Sequence, residues 1–541
     1  MTVPTSYPGV YIQELPSLVH AVQPAPTSVA VFVGYTHPFL TTRFGTAVPL
    51  FSFADYQTNF GGFFTSPWQP DFVGQAVFQF FENGGPMCYV VGLQAQTYYT
   101  GQDAFYGGGT AGGAVVQAFA AVPATGTAVL TFTALQPVGV AATSPATGML
   151  GVPMTVAISN VRQTAGTAND TADIVVSYGS AVETYRKVVI TSLAATLANS
   201  SLVSVTVASG TKAYPSVTGS PFSLGYKTAP PAPAAGTSVI NASDFAAVFA
   251  DYAPLDKVPV FNLLAVPGIA ANSVTSEVVA YCERKRAFHI MDTPSPEVKN
   301  WDVNTLVTTL AAGGSLSPAP PVSINAAVYY PWLLTTDPIT GAQISVPPSG
   351  FVAGAYGNED STFGVWKAPA GIETALTGTS GVDPAGVMND PQQGILNSSA
   401  IDCLRDLPGL GTVVFGARTT AGANANTAQQ QWRYVPVRRT ALFIEQSLYA
   451  SLTWAVFQPN AAPLWTALTQ EVGAFMLSLF RQGAFAGTTP SEAFLVQCDA
   501  TTTTPTDVAN GVVNILVGFA PLVPAEFVII QIAQLAGQAQ A

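Results

Sequence analysis

Side chains able to perform acid–base or nucleophilic chemistry are scarce in this 541-residue chain. It has three histidines, His20, His37 and His289, and a Ser-His-Asp triad would need one of them. His20 lies in a proline-rich N-terminal segment, and His37 precedes a proline. His289 lies in an apolar run, which favours a packed core or edge histidine over a catalytic base.

Motifs that activate a serine, bind phosphate or hold zinc are also missing from the sequence. Neither the G-x-S-x-G turn of serine hydrolases nor the G-x-x-x-x-G-K-[ST] phosphate loop occurs. No cysteine belongs to a C-x-x-C pair, so we expect four buried free thiols and no metal site. These cysteines are Cys88, Cys282, Cys403 and Cys498.

The denser groups of charge have structural explanations. Glu359 and Asp360 are adjacent in a Gly- and Ser-containing segment, and we expect them to be solvated. The run ERKR at 283–286 fits the exposed last turn of a helix, where positive charge is favoured, or a basic patch for a partner. For a second basic group an interface role stays open, because arginine suits interface ion pairs. That group is Arg433, Arg438 and Arg439.

The composition indicates a chain that associates with other copies. Charged residues make up 9% of it, against about 25% in a typical soluble domain. So few charges protect an isolated monomer poorly from association. The net charge of −12 argues against nucleic acid as a partner. We find no secretory signal, and prolines interrupt the most apolar stretch, 508–533, so we expect cytoplasmic folding without membrane insertion.

Periodicity predicts several kinds of element along the chain. Strands alternate with helices in 27–95 and again in 240–375, which favours a mostly parallel sheet. Short alternating runs between 97 and 226 predict an inserted β-sandwich. The apolar run 324–334 predicts a single strand. Five helices are predicted, at 53–62, 71–85 and about 273–286, 437–455 and 463–482. Those at 71–85, 437–455 and 463–482 have apolar residues at helical spacing.

Both ends of the chain are predicted to be extended. A residue before proline avoids the α region, so Tyr7-Pro8-Gly9 excludes a helix near the start. Near the other end, the residues from Phe527 to Ile532 combine high β-propensity with no charge and no proline, which is typical of a strand that pairs with an open sheet edge. The residues proposed to pair are Tyr7, Pro8, Gly9, Val10, Tyr11 and Ile12 in the first arm, and Phe527, Val528, Ile529, Ile530 and Ile532 in the second.

Several segments, in the same order, resemble contractile tail sheath proteins. The N-terminal ones are YPGVYIQELPS, TSVAVFVG, and SFADYQTNFGG with FFENGGPMCYVV. The later ones are VPPSGFVAGAYGNEDSTFGVWKAPAG, and LPGLGTVVFGART followed by QWRYVPVRRTALFIEQSL. The resemblance covers roughly 1–95 and 240–541, and no recognised motif falls in 97–226.

The resemblance implies an α+β and α/β multidomain fold. A core built from N- and C-terminal parts would carry a subtilisin-like α/β middle domain, an inserted outward-facing β-sandwich and two extended arms. Without a triad, the subtilisin-like label concerns the fold only. The implied division is 1–26 N-terminal arm, 27–95 first core part, 97–226 insertion, 240–375 middle domain, 376–524 second core part and 525–541 C-terminal arm.

The resemblance also implies a structural subunit that is not an enzyme and needs no cofactor. It would polymerise helically around an inner tube, each arm adding a strand to a neighbour's sheet, and would contract to drive the tube through an envelope. Its partners would be copies of itself, the inner tube protein, and baseplate and terminal cap proteins, assembled in the cytoplasm into a phage tail or phage-tail-like particle. Rival interpretations are a capsid or surface-layer protein and a serine hydrolase.

Attachment to the inner tube is assigned to the two C-terminal helices. The helix at 463–482 is the first choice and the helix at 437–455 the second. The side chains proposed for this contact are Trp465, Gln470, Glu471, Arg481, Arg438 and Arg439.

Overall fold

The structure is a computed structural model. It describes residues 21–37, 41–64, 70–93, 116–119, 130–134, 154–162, 170–178, 181–214, 221–224 and 242–529.

Strands and helices are numbered in chain order. The strands are β1 (Val29–Tyr35), β2 (Ala47–Leu50), β3 (Met87–Leu93), β4 (Val116–Phe119), β5 (Leu130–Ala134), β6 (Met154–Arg162), β7 (Thr171–Tyr178), β8 (Ala181–Val189), β9 (Val203–Val207), β10 (Phe222–Leu224), β11 (Leu263–Ala265), β12 (Phe288–Asp292), β13 (Ala326–Tyr330), β14 (Leu333–Thr336), β15 (Gln343–Val346), β16 (Gly381–Val382), β17 (Ile401–Leu407), β18 (Gly411–Val414), β19 (Phe494–Gln497) and β20 (Leu516–Phe519). The helices are α1 (Phe53–Phe60), α2 (Phe72–Glu82), α3 (Leu193–Thr196), α4 (Ala242–Phe249), α5 (Asn272–Lys285), α6 (Val303–Ala311), α7 (Ser349–Thr362), α8 (Asp390–Ser398), α9 (Val435–Ser451), α10 (Ala462–Arg481), α11 (Pro490–Ala493) and α12 (Pro505–Ala509).

An eight-stranded sheet in the order β18-β17-β13-β12-β11-β1-β3-β2 forms the centre of the fold. Its inner strands, β17 through β3, are parallel, and β18 and β2 pair antiparallel at the edges. All seven residues of β1 are buried, as expected where helices cover both faces of a parallel sheet. Phe32 packs in the same cluster as residues of α2 and α7, whereas Val33 packs with residues of α4 and α5.

The sheet order differs from the expected separation of 27–95 from 240–375. The strand β1 pairs with β3 on one side and with β11 on the other, so strands from both parts lie in one sheet. The predicted boundary between two domains therefore falls inside a single sheet. The mixed α/β architecture itself agrees with the prediction.

The described residues of the inserted part contain two small antiparallel sheets. One has the order β10-β6-β7-β8, and the other has the order β4-β5-β9. Both contribute to one apolar cluster, in which Phe132 of β5 and Val203 of β9 join Val156 and Ile174 of the other sheet. This region thus has a core of its own.

The predicted single strand over 324–334 is two strands in different sheets. Strand β13 ends at Tyr330 in the large sheet, and β14 begins at Leu333 in a three-stranded sheet with β15 and β16. Pro331 lies between them and has no amide hydrogen to continue a ladder. The prediction of one strand was wrong because it relied on the hydropathy of the run and did not allow for the break at Pro331.

The C-terminal part contains the predicted long helices. Helices α9 and α10, like α5, agree with the predicted ranges within a few residues. Phe443 of α9 packs with Val472 and Phe475 of α10, which confirms the apolar stripes. All four cysteines are buried and free, as expected. In the described part of the chain, no helix has both the length and the hydropathy of a membrane span.

Candidate assembly surfaces

The segment that leads into the N-terminal arm is fixed along helix α9. The Gln23 and Ala25 amides donate hydrogen bonds to the hydroxyl oxygens of Ser451 and Ser447, at 3.0 and 2.9 Å. These serines are four residues apart and therefore share a helix face. The predicted pairing residues Tyr7 to Ile12 lie outside the described residues, so their role remains a prediction.

The C-terminal segment exposes a run of large apolar side chains. Phe527, Val528 and Ile529 are 74%, 82% and 83% exposed, and they lie in no strand of the isolated chain. Ile530 and Ile532 lie outside the described residues. Water contact along such a run is unfavourable, and contiguous exposed apolar surface marks an interaction site.

A two-stranded sheet in the same part of the chain leaves strand edges without a partner. Strand β19 pairs antiparallel with β20 from Phe494 to Gln497, and within the described residues the sheet has no third strand. Leu495 and Leu516 on these strands are 52% and 51% exposed. A two-stranded sheet is marginally stable by itself, so added strands would stabilise it.

The side chains proposed to contact an inner tube fall into different environments on α10. Gln470 and Arg481 are exposed. Trp465 is half-buried, and its indole nitrogen donates to Asn460 Oδ1 at 2.8 Å. Glu471 accepts a hydrogen bond from the indole of Trp454 at 3.1 Å. The geometry leaves these four residues as predictions.

The structure removes Arg439 from that set. Its side chain is 3% exposed and forms an ion pair with Asp360, with nitrogen–oxygen distances of 2.6 and 2.8 Å. Arg438 is 13% exposed and donates to Asn325 and Glu445. Arg439 is therefore part of the interior, and its assignment to a tube contact was wrong.

Ion pairs account for two further groups of charged residues: one expectation is corrected and the other is explained. Glu359 and Asp360 are both 2% exposed rather than solvated, because Glu359 pairs with Lys367 and Asp360 with Arg439. In the ERKR run at 283–286, the cations lie at the C-terminal end of α5 and pair with acidic side chains of the same chain. This position agrees with the capping interpretation.

The described histidines are buried. Burial lowers the pKa of both His37 and His289 to about 4, so both are neutral near pH 7. The His289 ring is 2.9 Å from the Leu264 carbonyl oxygen, through Nδ1, inside the central sheet. His20 lies outside the described residues. A core role for His289 agrees with the prediction.

A buried carboxylate caps the first turn of α7. Asp292 accepts hydrogen bonds from the amides of Gly268 and Ser349 and from the Ser349 hydroxyl, at 2.7 to 2.9 Å. Burial nevertheless raises the pKa of Asp292 to about 6. The Ser349 hydroxyl donates to a carboxylate rather than to a histidine, so the geometry is that of a helix cap and not of an activated nucleophile.

Replacement of this carboxylate is expected to alter the pH dependence of stability. A raised pKa means that the folded form holds its proton more tightly, so this stabilisation is present below about pH 4 and is lost as pH rises through 6. The free energy of unfolding of the native chain minus that of Asp292→Asn should fall by about 2 kcal/mol between pH 4 and pH 7. Urea unfolding at several pH values measures this difference, in which the histidine titrations cancel. A constant difference would contradict the assignment.

Comparison with known proteins finds similarity to tail sheath proteins. Residues 427–534 match the phage tail sheath C-terminal domain family, and this range includes both the open sheet and the exposed apolar segment. The chain is also similar to the prophage major tail sheath protein of Pseudomonas aeruginosa (strain UCBPP-PA14), with 25% identity over 271 residues. That alignment covers 49% of this chain and 62% of the relative's length.

Solved structures of sheath proteins share the fold. The PVC sheath complex of an extracellular contractile injection system, in its contracted state, is 24% identical, with a TM-score of 0.56 and coverage of 98% of this chain and 99% of that one. The helical sheath of the anti-feeding prophage in its contracted state is 22% identical, with a TM-score of 0.55 and the same coverage. The sheath tail protein of Desulfitobacterium hafniense is 13% identical, with a TM-score of 0.53 over 90% of this chain and 93% of that one. The family match and the prophage relative, together with this shared fold, confirm the resemblance to contractile tail sheath proteins.

Sequence analysis missed the residue that holds the C-terminal segment to the body. The Glu526 carboxylate contacts the side chains of Arg418, Asn397 and Tyr434. A signal was present, because Glu526 is the only charged residue after Asp507. Its partners are about 100 residues away in the chain, so sequence alone could not identify them.

Proposed function

We propose that this chain is the structural subunit of a contractile sheath and has no enzymatic role. The observation that carries the proposal is the match of 427–534 to the sheath C-terminal domain, because that range contains an exposed strand-forming segment and an open two-stranded sheet. The structural relatives are sheath subunits by their descriptions, and one of them is a helical assembly.

Copies of the chain would be linked by donated strands. We propose β19 and β20 as the acceptor, since both have an open edge and both expose a leucine. The donors would be the C-terminal arm from Phe527 onward and the N-terminal arm around Val10. In this mode main-chain hydrogen bonds supply affinity, and alternate side chains set the register. Head-to-tail contacts of this kind do not close, so they generate a helix of subunits.

Contraction would follow from repacking of this lattice. Subunits would assemble around an inner tube in an extended state, and a trigger at the baseplate would release them into a shorter and wider lattice. The work would come from new contacts between rigid bodies, while the arms keep neighbours linked. Assembly would take place in the cytoplasm, as part of a phage tail or phage-tail-like particle closed by a cap.

The finer divisions of the fold belong to the same proposal. Two antiparallel sheets over one apolar core support a β-sandwich in 97–226, and we propose that it faces outward. The helix-covered parallel sheet supports a subtilisin-like α/β body, although it also includes strands β1 and β3. On α10, Trp465, Gln470, Glu471 and Arg481 remain the proposed tube contacts. Gln470 and Arg481 are the two whose side chains are exposed.

Electron microscopy of the purified chain tests the proposal. We expect hollow tubes, and tubes of two diameters if the inner tube protein is present during assembly. Flat sheets or closed shells would support a surface-layer or capsid subunit instead. A serine hydrolase would be labelled by an active-site serine reagent, so covalent labelling together with an absence of tubes would overturn the proposal.

A further inference from the structure

Arg418 is a buried arginine whose charge is neutralised by the C-terminal segment. It is 1% exposed, and its Nε and Nη2 atoms donate to the two oxygens of Glu526, each at 2.7 Å. This two-bond geometry is the strongest form of a carboxylate–guanidinium pair. Its remaining contacts are with body groups, the Asn397 carbonyl and the Asn424 side chain.

The Glu526 carboxylate is held by three side chains of the body. Besides Arg418, the Asn397 amide donates to Oε1 at 2.5 Å and the Tyr434 hydroxyl donates to Oε2 at 3.0 Å. Burial opposes ionisation, but the hydrogen bonds from Arg418 and Asn397 outweigh it and hold the pKa of Glu526 below its ordinary value. The carboxylate is therefore charged at neutral pH.

Among the described residues, the other carboxylate beside Arg418, that of Asp402, is not suited to replace Glu526 as the counter-charge. Asp402 is buried beside Arg418 and accepts its backbone amide at 2.8 Å. Burial raises the pKa of Asp402 well above its usual range, which favours its neutral form. Withdrawal of Glu526 would leave a buried guanidinium uncompensated, which is strongly unfavourable.

The Glu526 contact lies at the point where the C-terminal segment leaves the body. Residues 522–526 run over the body between two grooves, of about 480 Å³ beside Trp366 and about 600 Å³ beside Phe415. Immediately after Glu526, the side chains become 74% to 83% exposed. Leu522 and Val523, which precede Glu526, are also exposed, at 37% and 62%. What changes at Glu526 is therefore the anchoring, because it is the last described residue whose side chain forms hydrogen bonds with the body.

We propose that Glu526, clamped by Arg418, Asn397 and Tyr434, is the fixed end of the C-terminal arm and sets the point and direction in which the arm leaves its own subunit. The inference rests on the proposed sheath function. Residues up to 526 then move with the body, and only residues from 527 onward move when neighbouring subunits rotate. A fixed departure point also reduces the ordering cost when the arm pairs with a neighbour.

Helix α9 is linked to both arms, one at each of its ends. Tyr434, which immediately precedes α9, contacts Glu526, and Ser447 and Ser451 near the helix C-terminus hold the segment entering the N-terminal arm. Tension between the two arms of one subunit would accordingly pass along α9. This assigns α9 to linkage between subunits.

Spin labels on either side of the clamp test the inference in the full-length monomer. A nitroxide on Val523→Cys reports the segment before Glu526, and one on Val528→Cys reports the arm; both positions are exposed, whereas the native cysteines are buried. We expect slow motion at 523 and fast motion at 528. Glu526→Gln should make 523 as mobile as 528, and Tyr434→Phe should have a smaller effect in the same direction.

A matched control removes a different carboxylate from the same groove. Asp390 lines the groove beside Phe415 and pairs with Arg405, but it does not contact Glu526. Asp390→Asn should leave both labels unchanged. Fast motion at 523 in the native chain, or slow motion retained in Glu526→Gln, would overturn the clamp.

Assembly assays separate this inference from the proposed function. If the native chain forms tubes, Glu526→Gln should raise the lowest concentration that gives tubes by about tenfold, because a loose arm must be ordered on binding. Unchanged tube formation would show that the clamp does not position the arm. If the native chain forms no tubes, the sheath proposal is in doubt, but the label mobilities still decide whether Glu526 fixes the segment.

Discussion

A chain that ends at Glu526 is expected to remain folded and monomeric at concentrations where the intact chain forms tubes. The truncation removes the exposed segment from Phe527 onward but keeps the Glu526 carboxylate in contact with Arg418. Each lost strand residue would have supplied main-chain hydrogen bonds and buried apolar area in a neighbour. Electron microscopy combined with light scattering measures the loss of polymer, and circular dichroism checks the fold.

A point variant makes the same test without shortening the chain. Val528→Asp places a charge on a side chain that would be buried between strands, and burial of an unpaired carboxylate is costly. We expect tube formation to be lost or to require at least about a hundredfold more protein. Tubes of normal yield from both the truncated chain and Val528→Asp would show that the C-terminal segment is not the donated strand.

The control for this variant lies in the inserted region. Val182 of β8 is 59% exposed, so Val182→Asp makes the same chemical change on a surface proposed to face outward. It should assemble like the native chain. Loss of assembly in this variant as well would indicate that added negative charge itself, on a chain of net charge −12, prevents association.

Local sequence patterns predicted the elements whose side chains repeat with a clear period. Helices α9 and α10 were located from their apolar stripes, since residues three and four apart share a face. Strand β1 lies in 27–95, where strands alternating with helices were predicted, and it is buried on both faces as a strand inside a parallel sheet should be. These signals depend only on neighbours in the chain.

Features that depend on distant residues were not predictable in the same way. Strand β1 lies between β3 and β11, and about 230 residues separate β1 from β11. Nothing in a single sequence indicates that these strands are neighbours, so two domains were expected where one sheet exists. The contacts of Glu526 and the burial of Asp360 could not be predicted from the sequence for the same reason.

In the candidate assembly surfaces, too, the features that depend on local sequence were predictable and those that depend on distant residues were not. The C-terminal segment was predicted to pair with a sheet edge because β-propensity and charge are local properties. Its described residues are exposed and lie in no strand, so the pairing itself stays a prediction. Arg438 and Arg439 were assigned to an interface because arginine is frequent there, but the interior of this chain supplies their partners. A basic residue on a helix is a surface residue only if its face of the helix is solvated, and the sequence of α9 does not state which face that is.

Removal of Arg439 alone is expected to have the largest effect on stability of any single substitution considered. Arg439→Met would leave Asp360 buried at 2% exposure with only the Ser28 hydroxyl, 2.9 Å away, as a donor. An uncompensated buried charge costs about 3–5 kcal/mol, so the free energy of unfolding should fall by that amount in urea titrations. The arginine also lies 4.6 Å from the centre of the Tyr356 ring, which methionine would cover only in part.

Combination with Asp360→Asn distinguishes loss of charge balance from loss of packing. The double variant has no buried charge at this site, and the amide oxygen introduced at position 360 can still accept from the Ser28 hydroxyl, so it should recover most of the loss caused by Arg439→Met. Arg405→Gln is the control, because its partner Asp390 is 88% exposed, and such pairs contribute at most about 1 kcal/mol. If Arg439→Met were no more harmful than Arg405→Gln, the ion pair would not stabilise the body. If the double variant were as unstable as Arg439→Met, packing against Tyr356 would be the dominant contribution.

A stable pair at this position matters for assembly because Arg439 also donates to the Thr27 carbonyl, so it joins α9 to the segment that enters the N-terminal arm.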